Sequence, residues 1–407
     1  MDLGGLLKEL LKGEVTSAKF GGFIEALYSE GVSDLHIDPN DIGHSVRARQ
    51  GKQLVSLGSH GQAALSPMLS LVKTKASLKP HRTATPEEGL FTLNGLLVKA
   101  FSLPTVSGEK LSLQLIRKND FPADLSKLGF WGSSLKAVKN IAKLKNGLIC
   151  VVGDDNLRTM MSLLAQFDAR TTLVSTIESS QTAKLPLVNQ FVAERNYAEL
   201  AETAMRVALK QGSDVIMISR LDTAPLVELA TEASLSGKLV IAGLPLEDSF
   251  MAPGYLEHLG ARAFMLASQL RYIVNSSRVA TCPSDKLKVV KVTAEKSNII
   301  LRSAEIDAAT LNSLEREAKK DGLSSNVKLG SNDKQITTLY TSTVKQLTKT
   351  INIVEVAKLD DRLNQLLLPG LHPSEVRELF IASGGITKET DHLVKALRKL
   401  VPYGNIK

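Results

Sequence analysis

Short apolar runs, separated by amphipathic stretches, dominate the middle of this chain. From Gly147 onward they are LICVV, TTLVST, SDVIMIS and GKLVIAGL. Each is too short for a helix and carries consecutive apolar residues at its centre, as in strands covered on both faces. Between them, RTMMSLLAQF and YAELAETAMRVALKQ repeat apolar residues every three or four positions, which predicts helices. Strands alternating with helices predict a parallel sheet wrapped by helices on both sides.

The flanking regions carry other patterns. Residues 18–30 (AKFGGFIEALYSE) have helical periodicity. SDLHIDP (Ser33–Pro39) and HSVRARQ (His44–Gln50) alternate with period two around DIG, which predicts a hairpin. LVKAFSLPTVSGEKLSLQLIRK (Leu97–Lys118) predicts two more strands around a Ser-Gly turn. From about Lys286 a polar stretch containing SSNVKLGSNDKQ predicts a loop or insertion. INIVEVAKLDDRLNQLLL and the residues after it predict a mostly helical end. The expected organisation is an α+β domain over 1–118, an α/β domain over 119–285, and an insertion with a helical subdomain over 286–407.

Composition narrows the function classes. Hydrophobic residues at 43% and charged residues at 23% describe a folded soluble protein. The net charge of +8 is spread along the chain and demands no acidic partner. Aromatic residues are only 4%, which argues against base stacking, so no nucleic-acid partner is expected. Two cysteines, Cys150 and Cys282, cannot build a disulfide framework or a four-cysteine zinc site, and a reducing compartment is the simplest inference. The charged amphipathic start MDLGGLLKELLKGE does not read as a secretory signal. No uncharged apolar run reaches about eighteen residues, so no membrane span is expected.

Several stretches, in order, resemble the secretion-type assembly ATPases of type II secretion and type IV pili. GVSDLHIDP is similar to the family's A-S-D-I-H-I-E-P, HSVRARQ to its V-R-x-R strand, and LPTVSGEKLSLQLI to its L-P-T-x-x-G-E-K segment. GLICVVGDDNLRTMMSLL falls on the family's phosphate loop, TLVSTIESS on its acidic segment, and SDVIMISRLDT on Walker B. SLSGKLVIAGLPLEDS falls on the histidine-containing segment, and INIVEVAKLDDRLNQLLL on the late G-I-x-E-V segment. The resemblance implies a RecA-like, P-loop-type α/β domain, preceded by a PAS-like α+β domain and followed by a helical C-terminal part. It also implies ATP with magnesium as cofactor, a hexamer, and a cytoplasmic place against the inner membrane beside a platform protein.

The chemistry-bearing positions depart from that pattern. A phosphate loop needs glycines so that backbone N–H groups can converge on an anion, a lysine for the β- and γ-phosphates, and a hydroxyl for magnesium. In GDDNLRT only Gly153 remains. Counted without a gap, the lysine position falls on Thr159. With one residue deleted, Arg158 takes the lysine position and Thr159 the hydroxyl position. Asp154 and Asp155 put carboxylates where phosphates would sit, at roughly 4 kcal/mol per close charge pair at an effective dielectric of about 20. The plain alternative is a strand-to-helix turn with Asp155 or Asn156 as N-cap.

Glu178 is kept in the acidic segment, either as the glutamate that helps activate water or as a solvated side chain. Asp214 is kept in Walker B, but the family's glutamate falls on Arg220 and its arginine on Asp222, and these two could pair. The histidines fall on Lys238 and Pro245, while Asp248 is retained as a cap. Arg47 and Arg49 on the V-R-x-R strand are equally consistent with facing a nucleotide or partner and with a solvated sheet face. The other two family arginines fall on Leu90 and Gln114. TCPSDK keeps only Cys282 of the zinc-binding cysteine pairs, so no zinc is expected.

Strand cores kept while catalytic positions change together predict a pseudo-ATPase. It would work by binding a true motor subunit, in a homo- or hetero-hexamer, or the inner-membrane platform. The alternatives are a divergent working ATPase using Arg158, Thr159, Glu178 and Asp214, and a free-standing adaptor.

Overall fold

The computed structural model describes residues 2–50, 53–81, 84–118, 121–181, 183–193, 196–281, 287–320, 336, 338–342, 349–359, 372–398 and 400–403. These fall into two compact units. The first comprises residues 2–118 with the short stretches 280–281 and 349–350, and the second comprises the rest.

In the first unit, strands β1 (Val32–Asn40), β2 (Gly43–Gln50), β3 (Gln53–His60), β4 (Glu87–Leu93), β5 (Leu96–Thr105) and β6 (Gly108–Arg117) form one antiparallel sheet. Its order is β3-β2-β1-β6-β5-β4. The expected hairpin is β1–β2, with Ile37 opposite Val46. Alternation works as predicted: Val46 and Ala48 point into the core while Arg47 and Arg49 lie on the half-exposed face. Helices Leu3–Leu10, Ser17–Ser29 and Gln62–Lys75 contribute Leu7, Phe20, Ile24, Leu27, Leu65 and Met68 to that core. Thr16 caps the second of them, accepting the Lys19 N–H at 3.3 Å.

The second unit holds β7 (Gly147–Val152), β8 (Val174–Glu178), β9 (Asn189–Val192), β10 (Val215–Ile218), β11 (Leu239–Gly243) and β12 (Leu270–Thr281). Strands β13 (Leu287–Lys291) and β14 (Thr338–Ser342), separated by the helices Ala294–Ser303 and Ala308–Lys320, pair antiparallel in a small sheet of their own, and β15 (Lys349–Lys358) follows. The main sheet has the order β15-β12-β7-β11-β10-β8-β9, and its pairings from β12 through β9 are all parallel.

The continuous apolar runs have a clear cause. Leu148, Cys150, Ile216, Ile218 and Val240 pack on one face against Ala201, Met205 and Ala230. Their chain neighbours Ile149, Val151, Val215, Met217 and Ile241 pack on the other, against Ile141, Met161 and Leu164. Cys150 is fully buried, and burial pushes its thiol pKa well up. Cys282 lies outside the described residues.

One expected element is corrected. INIVEVAK, read as the start of a helical end, is instead strand β15 at the margin of the sheet. The stretch after it, 360–371, lies outside the described residues, as does most of SSNVKLGSNDKQ. Helices Pro373–Ala382 and Lys388–Leu397 complete the chain's described end. The first packs Val376 and Phe380 against the sheet's core beside Phe250, and its Arg377 pairs with Glu305 and Glu389. The second joins a separate cluster of Trp131, Ile300, Leu311, Leu339, Leu393 and Leu397. Among the described residues no helix is long and apolar enough to cross a membrane.

Candidate functional site

In a parallel sheet with helices on both faces, ligands meet the carboxyl ends of the strands. Here that edge carries the turn from β7 into the helix Asn156–Leu164. Only three residues, Gly153 to Asp155, separate strand from helix. Counted to the lysine position, Gly153 to Leu157 give five residues before Arg158, against about six in a phosphate loop.

Gly153 adopts φ +93°, and a Cβ there would lie 2.3 Å from the Ser276 carbonyl oxygen, so no other residue fits without displacing β12. Two of the three loop N–H groups are already engaged. Gly153 donates to the Leu246 carbonyl at 2.8 Å and Asp155 to the Ser276 carbonyl at 3.1 Å.

Asp155 occupies the N-cap position, but its side chain makes no capping bond, which corrects the simple N-cap expectation. Its carboxylate turns inward and is almost fully buried. Oδ2 accepts from Asn352 Nδ2 at 2.6 Å and from Arg158 at 3.4 Å. Oδ1 stands 3.6 Å from Arg278 Nε. Burial pushes the carboxyl pKa up, while Arg278, the Asn352 amide and Arg158 pull it back. The other hydrogen of Asn352 Nδ2 goes to Ser276 Oγ at 2.7 Å. Asp154 is also spoken for, its Oδ1 accepting the Arg278 N–H at 2.7 Å. Asn156 reaches the Leu244 carbonyl at 3.5 Å. Thr159, the expected magnesium hydroxyl, is fully buried, and its Oγ1 has no hydrogen-bond partner among the described residues.

Beneath the loop lies a second polar cluster. Lys395, fully buried, donates to the Asn352 carbonyl at 2.7 Å and to Asp391 Oδ2 at 2.6 Å. Asp391 also accepts from Trp131 Nε1 at 2.5 Å and from the Val354 N–H at 2.8 Å. Gly129, at φ +88°, lets the chain pass: a Cβ there would come within 2.9 Å of the Asn352 carbonyl and 3.1 Å of Lys395 Nζ. On the same strand as Asn352, the buried Glu355 accepts the Lys388 N–H at 3.2 Å, and burial pushes its pKa up to about 7.

The remaining candidates are scattered. Glu178, at the carboxyl end of β8, is fully buried rather than solvated, accepting from Thr176 Oγ1 at 2.6 Å and Gln190 Nε2 at 2.8 Å. The hydroxyl and the amide, both local, hold it in place. Asp214 lies just before β10, at the opposite end of the sheet from the loop, and accepts the Leu173 N–H at 3.0 Å. It is not brought together with Arg158 or Glu178. Arg220 is exposed, pairs with Asp222 at 2.6 Å and lies over the Tyr197 ring. Asp248 caps its turn through the Phe250 N–H at 2.9 Å. In the first unit Arg47 is paired with Asp38 at 2.6 Å, and Asp38 also takes Lys110 at 2.8 Å. Sequence reasoning named Asp155 and Arg158 but missed Ser276, Arg278 and Asn352. The one signal for Asn352 is an amide inside the apolar run INIVEV.

The chain is similar to known proteins over most of its length. The secretion system protein E of Escherichia coli, described as putative, is 25% identical over 300 residues, covering 70% of this chain and 61% of that protein. The pilus assembly ATPase PilB of Thermus thermophilus is 24% identical over 383 residues, covering 92% of this chain and 41% of PilB. The chain spans about half the length of the curated relatives it matches. In fold it is similar to the ATPase DotB of Legionella pneumophila, with TM-score 0.60 and 13% identity over 95% of this chain and 94% of that one. The pilus retraction motor PilT, solved with bound ADP, has TM-score 0.53 and 14% identity over 91% of each chain. These likenesses support a RecA-like parallel-sheet domain. The profile of the type II/IV secretion system protein family matches residues 18–363, and the chain belongs to that family.

Proposed function

We propose that this protein is a catalytically silent member of the secretion and pilus motor family that works by binding rather than by hydrolysis. The observation that carries this reading is the state of the loop's backbone. The N–H groups of Gly153 and Asp155, which would have to converge on a phosphate, donate instead to the carbonyls of Leu246 and Ser276. The loop is also one residue short of the motif, and an arginine stands at the lysine position. Asp214, at the far end of its strand, supplies no magnesium carboxylate at this edge.

The intact apolar interior supports a scaffold that is still in use. Its partners under this reading are a related motor subunit, in a homo- or hetero-hexamer, and the inner-membrane platform of a pilus or secretion machine. It would act on the cytoplasmic side of that membrane.

The test is calorimetric titration of the purified chain with magnesium-ATP, with Arg158→Ala as control. No heat up to millimolar nucleotide is expected. Saturable binding that disappears in Arg158→Ala would overturn the reading in favour of a divergent working ATPase. Affinity purification of the tagged chain from its own cells should then recover a motor or platform component.

A further inference from the structure

We infer that Asp155 is a resident anion: its carboxylate fills an oxyanion position formed by Arg158, Arg278 and Asn352, and that position takes a phosphate-sized oxyanion once the carboxylate is removed. The inference rests on the silent reading of the loop, but on side chains rather than on its backbone.

The arrangement has the features of a bound-anion site. Two guanidinium groups and one amide converge on a single carboxylate, at 3.6, 3.4 and 2.6 Å. The carboxylate is nearly sealed from water, while Arg158 and Arg278 stay partly exposed. Buried carboxylates persist when positive or hydrogen-bonding groups surround them. The donors come from three separate parts of the chain: the helix after β7, the far end of β12, and β15. Two of the three have anchors besides the Asp155 carboxylate. Asn352 is held by Ser276 Oγ and, through its carbonyl, by Lys395, and the Arg278 backbone is held by Asp154. Removing the carboxylate therefore leaves a preorganised cationic recess rather than a collapsed one. Arginine pairs and amides suit tetrahedral oxyanions. Asp154, kept nearby, disfavours a long polyphosphate.

The experiment compares the full wild-type chain with Asp155→Ala and Asp155→Ser. Each is titrated calorimetrically with orthophosphate and followed by thermal unfolding in phosphate against chloride of equal ionic strength. The wild type should show no saturable heat and no phosphate-specific shift. Both variants should melt lower in chloride, recover part of the loss in millimolar phosphate, and bind it saturably. Adding Asn352→Ala should weaken that binding at least tenfold. Folded variants without phosphate response overturn the inference, as does a wild type that responds as strongly. Variants unfolded in chloride that stay unfolded in phosphate overturn it too. Magnesium-ATP binding by the wild type would instead sink the preceding functional reading, so the two failures are distinguishable.

Discussion

The sheet of the second unit and the polar cluster at its edge are built on opposite principles. Around Cys150, Ile216 and Ile241 the interior is apolar on both faces, and any one side chain is held by many weak contacts. Around Asp155, Asn352, Lys395 and Asp391 a few groups are held by a few strong, directional bonds. The first tolerates small changes. The second does not, because removing one partner leaves a buried charge or donor unsatisfied. Under the silent reading proposed above, the polar site is filled from within by Asp155 while the fold rests on the apolar sheet.

The sharpest way to break this contrast is Asp391→Ala. It strips the fully buried Lys395 of its counter-ion and Trp131 of its acceptor, and should cost about 3–5 kcal/mol by denaturant unfolding. Next comes a dependence on pH. Glu355 has a folded pKa of about 7 because it is buried, against about 4.3 for a free glutamate. The native state favours the protonated form, so its stability is full below about pH 4 and is lost as pH rises through about 7. The loss is about 4 kcal/mol. Thermal melts between pH 5 and 8 should fall with pH in the wild type and flatten in Glu355→Gln; parallel slopes would refute it.

In the sheet, Ile241→Val should cost only about 1 kcal/mol, since one methyl leaves a small cavity. The smallest effect is expected for Arg220→Ala. Its pair with Asp222 is half exposed, so the loss should be about 0.5 kcal/mol or less. A large loss there would mean that Arg220 matters to the fold after all.

How legible each region was depends on the same contrast. LICVV, VIMI and LVIAG announced themselves because a strand buried on both faces has nowhere to place a polar residue. The hairpin of the first unit was equally plain from its alternation. Strand β12 was missed because LRYIVNSSRVAT turns polar where Asn275 and Ser276 meet the loop. Strand β15 was misread because its buried positions include Asn352 and Glu355, which broke the apolar pattern. β9, four residues long at the sheet's edge, offered too little signal. Of the site, the local motif gave the loop and Arg158. It could not give Arg278 or Asn352, which reach Asp155 only through the tertiary fold.

The bond from Asn352 to Asp155 spans 197 positions, and that from Trp131 to Asp391 spans 260. A chain still emerging from the ribosome has its first strand and helix of this unit long before it has the amide that completes the turn between them. Until residue 352 is made and docked, Asp155 must remain hydrated. The backbone bonds of the turn to Leu246 and Ser276 can form earlier, but the carboxylate's amide partner is a late arrival in the protein's birth, and chains cut short before β15 would lack it.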